Sequence, residues 1–197
     1  DVLFEQLNEL GEMLDYEVLK SRDIVAMTTT GAARHNALLQ RLKPRVVMVE
    51  EAAEILESHV IASLHSPEHV LLIGDHKQLK PSSSVYELST RYHMDLSLFE
   101  RLINNDVPHS TLAVQRRMRP LIASLIAPVY PTLRDHEGVT DYPMVKGVGK
   151  NMFLISHNEL EAGSLDDDRS KRNPHEVGFI SRLVKYLLQQ GYRDRKS

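Results

Sequence analysis

The amino-acid sequence predicts an α/β fold built on parallel sheets. Short apolar runs alternate along the chain with segments whose apolar residues recur at helical spacing, the pattern typical of strands joined by helices. The runs are nearly continuous in apolar residues, as expected of strands covered on both faces. Because 42% of the 197 residues are hydrophobic, the chain can form one sizeable core or two small ones.

Five apolar runs are strand candidates: residues 24–27, 46–49, 70–73, 112–114 and 152–155. Residues 51–64 place their apolar side chains on one helical stripe. Residues 128–150, rich in proline and glycine, are expected to form a surface connection.

The last helix is predicted from its ends. Asn173 can cap it, Pro174 suits its first turn, and Glu176 completes a capping box. Gly191 ends it. The apolar residues between these points predict a buried stripe formed by Ile180, Leu183, Val184, Leu187 and Leu188.

Composition and charge limit the classes of function. No apolar run approaches the roughly 18 residues of a membrane span, so we expect no membrane insertion. The chain has no cysteine, which excludes disulfides and thiolate metal sites and suits a reducing compartment. The net charge of -3 excludes a surface that is basic throughout, so a nucleic-acid site requires a local groove of Lys and Arg. We therefore expect a soluble, cytoplasmic protein.

Two polar turns follow neighbouring strand candidates. Glu50 and Glu51 come directly after the run 46–49, and such a pair suits magnesium-assisted phosphoryl transfer, with one carboxylate for the metal and one for the attacking water. Taken alone, the pair also fits an ordinary helix start. After the run 70–73, Gly74 lets the backbone leave the sheet, and Asp75 and Gln78 add a carboxylate and an amide.

These turns, with the block Gln115-Arg116-Arg117-Met118, resemble motifs II, III and IV of superfamily 1 helicases. The group in question includes the nonsense-mediated-decay helicase and senataxin. The runs 47–57 and 170–176 resemble in particular the large NFX-type zinc-finger helicases of antiviral RNA sensing. The resemblance implies two RecA-like (P-loop NTPase) motor domains. We expect residues 1–110 to be the C-terminal part of the first domain and residues 111–197 the start of the second, both incomplete.

The resemblance also implies functional residues. By position, Glu51 matches the carboxylate that activates water, Glu50 the Mg²⁺ ligand, and Gln78, beside Asp75, the sensor of the ATP γ-phosphate. Arg117 matches a catalytic arginine finger, although a salt-bridge role is the alternative, and Gln115 is expected to shape that side of the ATP site. The loop with Thr29, Thr30 and Gly31 matches the segment that contacts the nucleic-acid backbone. ATP and Mg²⁺ are the implied cofactors.

Two departures and two missing parts modify this expectation. The family usually has Asp at position 50 and often Tyr at position 116, where this chain has Glu50 and Arg116. No phosphate-binding Gly-x-x-x-x-Gly-Lys-Ser/Thr motif occurs, and the piece 147–150 is a false match. The family places that motif before residue 24 and motifs V and VI after the last helix. We therefore expect residues 1–197 alone to be inactive.

Two functions remain open. The first is an ATP-dependent helicase that moves 5′ to 3′ on single-stranded RNA, with single-stranded DNA as the alternative substrate. The second is a nucleotide-gated RNA-binding module with little turnover, which the departures at Glu50 and Arg116 favour. The resemblance implies protein partners in RNA surveillance or antiviral signalling.

Overall fold

A computed structural model describes residues 2–162 and 171–193, with side chains from residue 10 onward. The chain divides into two compact units, Asp1–Ser110 and Thr111–Ser197. Each unit combines helices with one short parallel sheet, so the architecture is mixed α/β, as predicted. None of the described helices is long and apolar enough to cross a membrane.

The sheet of the first unit consists of two parallel strands. β1 is Val46–Val49 and β2 is His69–Leu72. Their register pairs Val46 with His69 and Val49 with Leu72, so both strands end at the same edge. β1 has the predicted bounds, and β2 begins one residue earlier than predicted.

Six helices accompany this sheet: α1 Val2–Leu19, α2 Thr29–Arg34, α3 Asn36–Leu42, α4 Glu57–Ala62, α5 Tyr86–Tyr92 and α6 Leu98–Asn104. The core lies where β1, α4 and α6 meet, around the buried residues Val49, Ala52, Val60 and Leu98. The hydroxyl of Ser97, which is fully buried, caps α6 by accepting the Glu100 N–H.

A bidentate ion pair joins α4 to α6. The Arg101 guanidinium donates to both carboxylate oxygens of Glu57, over 2.8 Å from Nε and 2.6 Å from the terminal nitrogen. This carboxylate raises the pKa of Arg101. The pair fixes the start of α4 against the helix that closes the core.

Three predictions for the first unit are wrong. Residues 51–64 are not one helix, because Glu51 has a left-handed backbone conformation and Ile55 is extended, which separates a 3₁₀ turn at Ala52–Glu54 from α4. Residues 24–27 form no strand, and Ile24 is 86% exposed. The strands are also not covered on both faces, since Met48 and Leu71 are about half exposed in a sheet of two strands.

The second unit contains a smaller parallel sheet. β3 is Val114–Gln115 and β4 is Arg134–Asp135, with Gln115 paired to Asp135. Between them lie α7, Pro120–Ala123, and a 3₁₀ turn at Ser124–Ile126. β3 shares Val114 with the predicted run 112–114 and ends one residue beyond it, and β4 lies within the segment predicted to be a connection. Residues 152–155 form no strand.

The final helix, α8, is Pro174–Gln189. Asn173 caps it as predicted, since its side chain accepts the N–H groups of His175 and Glu176. The predicted capping box is wrong, because the Glu176 carboxylate lies 3.1 Å from His157 Nε2 instead. The predicted buried stripe is also wrong. Ile180 is 56% exposed and Val184 is 49% exposed, so the described residues leave that face of α8 largely uncovered.

Candidate functional site

The turn after β1 presents two carboxylates to solvent. Val49 at the strand end is buried, whereas Glu50 and Glu51 are exposed. Glu51 has φ 52° and ψ 37°, a left-handed conformation that is uncommon for a residue with a Cβ atom. Ala52 and Ala53, both buried, anchor the following 3₁₀ turn in the core. The backbone therefore changes direction at Glu51, and a buried segment on each side holds the pair of carboxylates at the sheet edge.

The turn after β2 packs against the turn after β1 through the backbone. The N–H of Ile73 donates to Val49 O over 2.9 Å, and the N–H of Ala52 donates back to Ile73 O over 2.8 Å. A Cβ atom at Gly74 would lie 2.9 Å from Ala53 N and 3.2 Å from Ala52 N. Glycine is the residue that fits this contact, and its small size brings the two polar turns together.

Asp75 organises the second polar turn. One carboxylate oxygen accepts the backbone N–H of Lys77 at 3.0 Å, and the other accepts the side-chain amide N–H of Gln78 at 3.1 Å. The backbone N–H of Gln78 also donates to Asp75 O. Lys80 Nζ, further along the loop, lies 3.1 Å from Glu100 on α6. The sequence therefore places an ordered carboxylate and amide beside the turn that carries Glu50 and Glu51.

The donor set of these two turns fits magnesium and a nucleotide. Mg²⁺ prefers oxygen ligands and is usually held by one or two carboxylates together with phosphate oxygens and water. Glu50, Glu51 and Asp75 supply such oxygens. Within residues 2–162 and 171–193, no three His, Asp or Glu side chains are grouped to hold a metal ion by themselves.

The predicted nucleic-acid segment lies at the start of α2. Thr28 is the N-cap, and its hydroxyl accepts the Gly31 N–H at 3.1 Å. Thr29 and Gly31 are partly buried, and Thr30 is exposed. The three predicted residues thus form the first turn of a short helix and not an open loop.

In the second unit, Gln115 organises the turn that carries Arg117. Gln115 is 9% exposed. Its side-chain oxygen accepts the N–H groups of Arg117 and Met118 at 2.9 and 2.7 Å. Its side-chain nitrogen donates to Met118 O at 2.7 Å and to a carboxylate oxygen of Asp135 at 2.5 Å. The turn that follows β3 is therefore held by one buried amide.

The arginines of this turn have different surroundings. Arg119 donates to the carbonyls of Tyr142 and Pro143 at 2.9 and 2.5 Å, and the Tyr142 hydroxyl donates to Arg116 O at 3.1 Å. Arg116 and Arg117 are exposed. Their guanidinium groups make no hydrogen bond or ion pair with another residue in the described part of the chain.

Sequence reasoning missed Asp135 and Tyr142, which both contact the Arg117 turn. They lie in the segment interpreted as a surface connection. Its proline and glycine residues predict a loop, and β4 is only two residues long. The false match at 147–150 is a packing feature. Tyr186 on α8 donates its hydroxyl proton to Gly147 O at 2.6 Å, and the Tyr192 hydroxyl accepts the Lys146 N–H at 2.8 Å.

Comparison with known proteins identifies the family. Two family profiles, each described as an AAA domain, match residues 2–83 and 94–196. The chain is 45% identical over 190 residues to NFX1-type zinc finger-containing protein 1 of Mus musculus, covering 95% of this chain and 10% of that protein. It is 36% identical to the helicase required for RNAi-mediated heterochromatin assembly 1 of Schizosaccharomyces pombe, covering 91% of this chain and 18% of that protein.

A more distant relative is regulator of nonsense transcripts 1 of Caenorhabditis elegans, which is 28% identical over 142 residues, 72% of this chain and 13% of that protein. The chain thus spans about a tenth of the length of its NFX1-type relatives. The profiles and the relatives agree with the motif resemblance found in the sequence. The chain therefore belongs to the superfamily 1 helicases, in the group that contains the NFX1-type zinc finger-containing proteins and the regulators of nonsense transcripts.

Proposed function

We propose that the protein containing these residues hydrolyses ATP to move along or unwind RNA, using two RecA-like motor domains. The observation that carries this proposal is the backbone contact at Gly74, which brings the carboxylate pair and the Asp75 turn to one edge of the first sheet. Parallel α/β sheets bind ligands at the carboxyl ends of their strands, and both turns lie there.

Each polar residue receives one role in this proposal. Glu51 orients the attacking water and accepts its proton, and Glu50 holds the metal. Gln78, oriented by Asp75, senses the γ-phosphate. Arg117 supplies positive charge to the transferring phosphoryl group. Bound Mg²⁺ would neutralise phosphate charge as the bond to the leaving group breaks.

The nucleic-acid part of the proposal rests on the start of α2 and on the relatives. Thr29, Thr30 and Gly31 offer hydroxyl and backbone groups to the sugar-phosphate chain. The names of two relatives refer to RNA interference and to nonsense transcripts, which favours RNA as the substrate. A cytoplasmic location belongs to the same proposal. Partners in RNA surveillance or antiviral signalling also belong to it, and they rest on the resemblance alone.

A second candidate is a nucleotide-gated RNA-binding module with little turnover. Two departures from the family motifs favour it: Glu50 has a longer side chain than the usual Asp, and Arg116 replaces an aromatic residue. A Mg²⁺ ion tolerates little displacement of its octahedral ligands, so the longer side chain can slow hydrolysis without preventing ATP binding.

Steady-state ATP hydrolysis by the full-length protein separates the two candidates. We expect turnover that depends on Mg²⁺ and rises at least roughly tenfold with single-stranded RNA, a change of about 1.4 kcal/mol in the barrier. Single-stranded DNA of the same sequence tests the choice of nucleic acid. ATP-dependent RNA binding without measurable hydrolysis would support the second candidate, and the absence of both activities would contradict both.

A further inference from the structure

The side-chain amide of Gln115 has no capacity left for a ligand. A glutamine amide offers two acceptor sites on its oxygen and two N–H donors. The oxygen accepts two backbone N–H groups, from Arg117 and Met118, and the nitrogen donates to Met118 O and to Asp135. All four positions are occupied within the second unit, so contact with a nucleotide would require breaking one of these bonds.

Asp135 is the side chain that helps to fix which way this amide faces. A carboxylate can only accept hydrogen bonds, so it selects the nitrogen end of the amide and directs the oxygen end toward the N–H groups of Arg117 and Met118. The contact of 2.5 Å is a charge-assisted hydrogen bond, which is stronger than one between neutral groups. The accepting oxygen of Asp135 therefore supports the orientation of this buried side chain, together with Met118 O and the two backbone N–H groups.

The backbone fixes Asp135 in place. The N–H of His136 donates to Gln115 O at 3.0 Å, and the N–H of Arg134 donates to Ala113 O at 2.7 Å. These two bonds flank Asp135 and hold it directly opposite Gln115 in the parallel pair of strands. The position of Asp135 is therefore determined by the sheet and not by a flexible loop.

A second set of bonds holds the turn from its other side. The Arg119 guanidinium donates to the carbonyl oxygens of Tyr142 and Pro143, and the Tyr142 hydroxyl donates to Arg116 O. The backbone from residue 116 to residue 118 is therefore bonded from both directions, while the guanidinium of Arg117 is exposed. Such an arrangement fixes the base of a side chain whose tip is available to a ligand.

We propose that Asp135 and Gln115 are positioning residues for Arg117: the carboxylate orients the buried amide, and the amide holds the backbone from which the catalytic arginine extends. This inference rests on the proposed role of Arg117. It assigns Gln115 a structural task within the site and adds Asp135, which the motif comparison does not include.

The test is a double-mutant cycle in the full-length protein, with RNA-stimulated ATP hydrolysis as the readout. Arg117→Ala should lower kcat by on the order of 10³, the scale of an arginine finger. Asp135→Leu should lower kcat by roughly 10- to 100-fold, which is less than the loss expected for Arg117→Ala. It should leave the KM for ATP within about threefold of the wild-type value. Asp135→Asn retains the accepting oxygen and should stay near the wild-type kcat.

The combined variant distinguishes positioning from general damage. If Asp135 acts through Arg117, Asp135→Leu should cause no further loss of kcat once Arg117→Ala is present. The same fractional loss in both backgrounds, or no loss in either, would overturn the inference. A wild-type kcat for Arg117→Ala would instead refute the role of Arg117 in the proposed function.

A swapped pair covers the case in which Asp135→Leu does not fold. Gln115→Glu alone places two carboxylates in contact and should lower kcat, whereas Gln115→Glu with Asp135→Asn restores a donor opposite an acceptor and should recover part of the loss. Failure of the swap to recover any activity in a folded protein would count against the inference. Glu137→Ala is the matched control, since that side chain makes no hydrogen bond within the described residues, and it should leave kcat unchanged.

Discussion

Glu50 and Glu51 are adjacent in sequence but differ in backbone geometry. Glu51 has positive φ, whereas Glu50 continues directly from β1. The two carboxylates therefore leave backbones of different conformation, although both are exposed. We propose that they serve different partners, a metal ion and a water molecule.

Substitutions at these two positions test that division. Glu50→Asp should retain or raise RNA-stimulated ATP hydrolysis, because it keeps an oxygen ligand on a shorter side chain, whereas Glu50→Ala should lower turnover at least roughly tenfold, about 1.4 kcal/mol of barrier. Glu51→Gln should leave ATP and RNA bound while hydrolysis stops, because glutamine keeps the shape of the glutamate side chain but lacks its negative charge. Wild-type turnover in both Glu50→Ala and Glu51→Gln would show that the pair is only a turn.

At the scale of elements, the contact between the turns after β1 and β2 depends on Gly74. Gly74→Ala would push a methyl group against the backbone nitrogens of Ala52 and Ala53, which are fixed in the core and cannot rotate away. We expect a loss of about 1–3 kcal/mol in the free energy of unfolding, the usual cost of overpacking. Chemical denaturation of the 197-residue chain measures this loss.

Gly11→Ala is the matched control for this substitution. Gly11 lies within α1, and no described atom lies within 4 Å of the Cβ that alanine would add. Alanine there should leave stability unchanged or raise it by about 0.5–1 kcal/mol, because glycine is the weaker helix former. Equal effects of the two substitutions would mean that the Gly74 contact is not tight.

The sequence patterns predicted some elements better than others for a physical reason. β1 and β2 are found from their apolar runs because both contribute to one core. The runs at 24–27 and 152–155 are equally apolar but find no strand to pair with in the described chain. The helix predicted from residue 51 fails because one left-handed residue, Glu51, interrupts it, and hydrophobic spacing carries no information about φ.

In the candidate site, the sequence indicated that the two polar turns lie together, whereas the roles of their residues stay predictions. The residues of the two polar turns follow strand ends directly, so their proximity could be expected from the parallel topology. Asp135 bonds to Gln115 across 20 residues of chain, and Tyr142 bonds to Arg116 across 26. Such long-range pairs are determined by the path of the backbone, which no local pattern reveals.

At the scale of the whole molecule, the sequence lacks one part of the proposed ATP site. Residues 1–197 contain no Gly-x-x-x-x-Gly-Lys-Ser/Thr motif, so the backbone cradle and lysine that hold the phosphates in this class are absent from its sequence. We expect this polypeptide alone to bind ATP weakly and to show no measurable hydrolysis. Isothermal titration that detects micromolar, Mg²⁺-dependent ATP binding to residues 1–197 would contradict this expectation.

Because Glu51 has a left-handed backbone, the substitution that would stabilise the protein there is also one that would remove a proposed catalytic side chain. A residue with a Cβ atom in that conformation costs roughly 1–2 kcal/mol, which glycine would recover. A programme that selects variants by thermal stability alone would therefore favour Glu51→Gly, and in doing so would discard the carboxylate assigned to the attacking water. Any stabilised version of this protein should keep Glu51 fixed and seek its gains elsewhere, for example at Gly11.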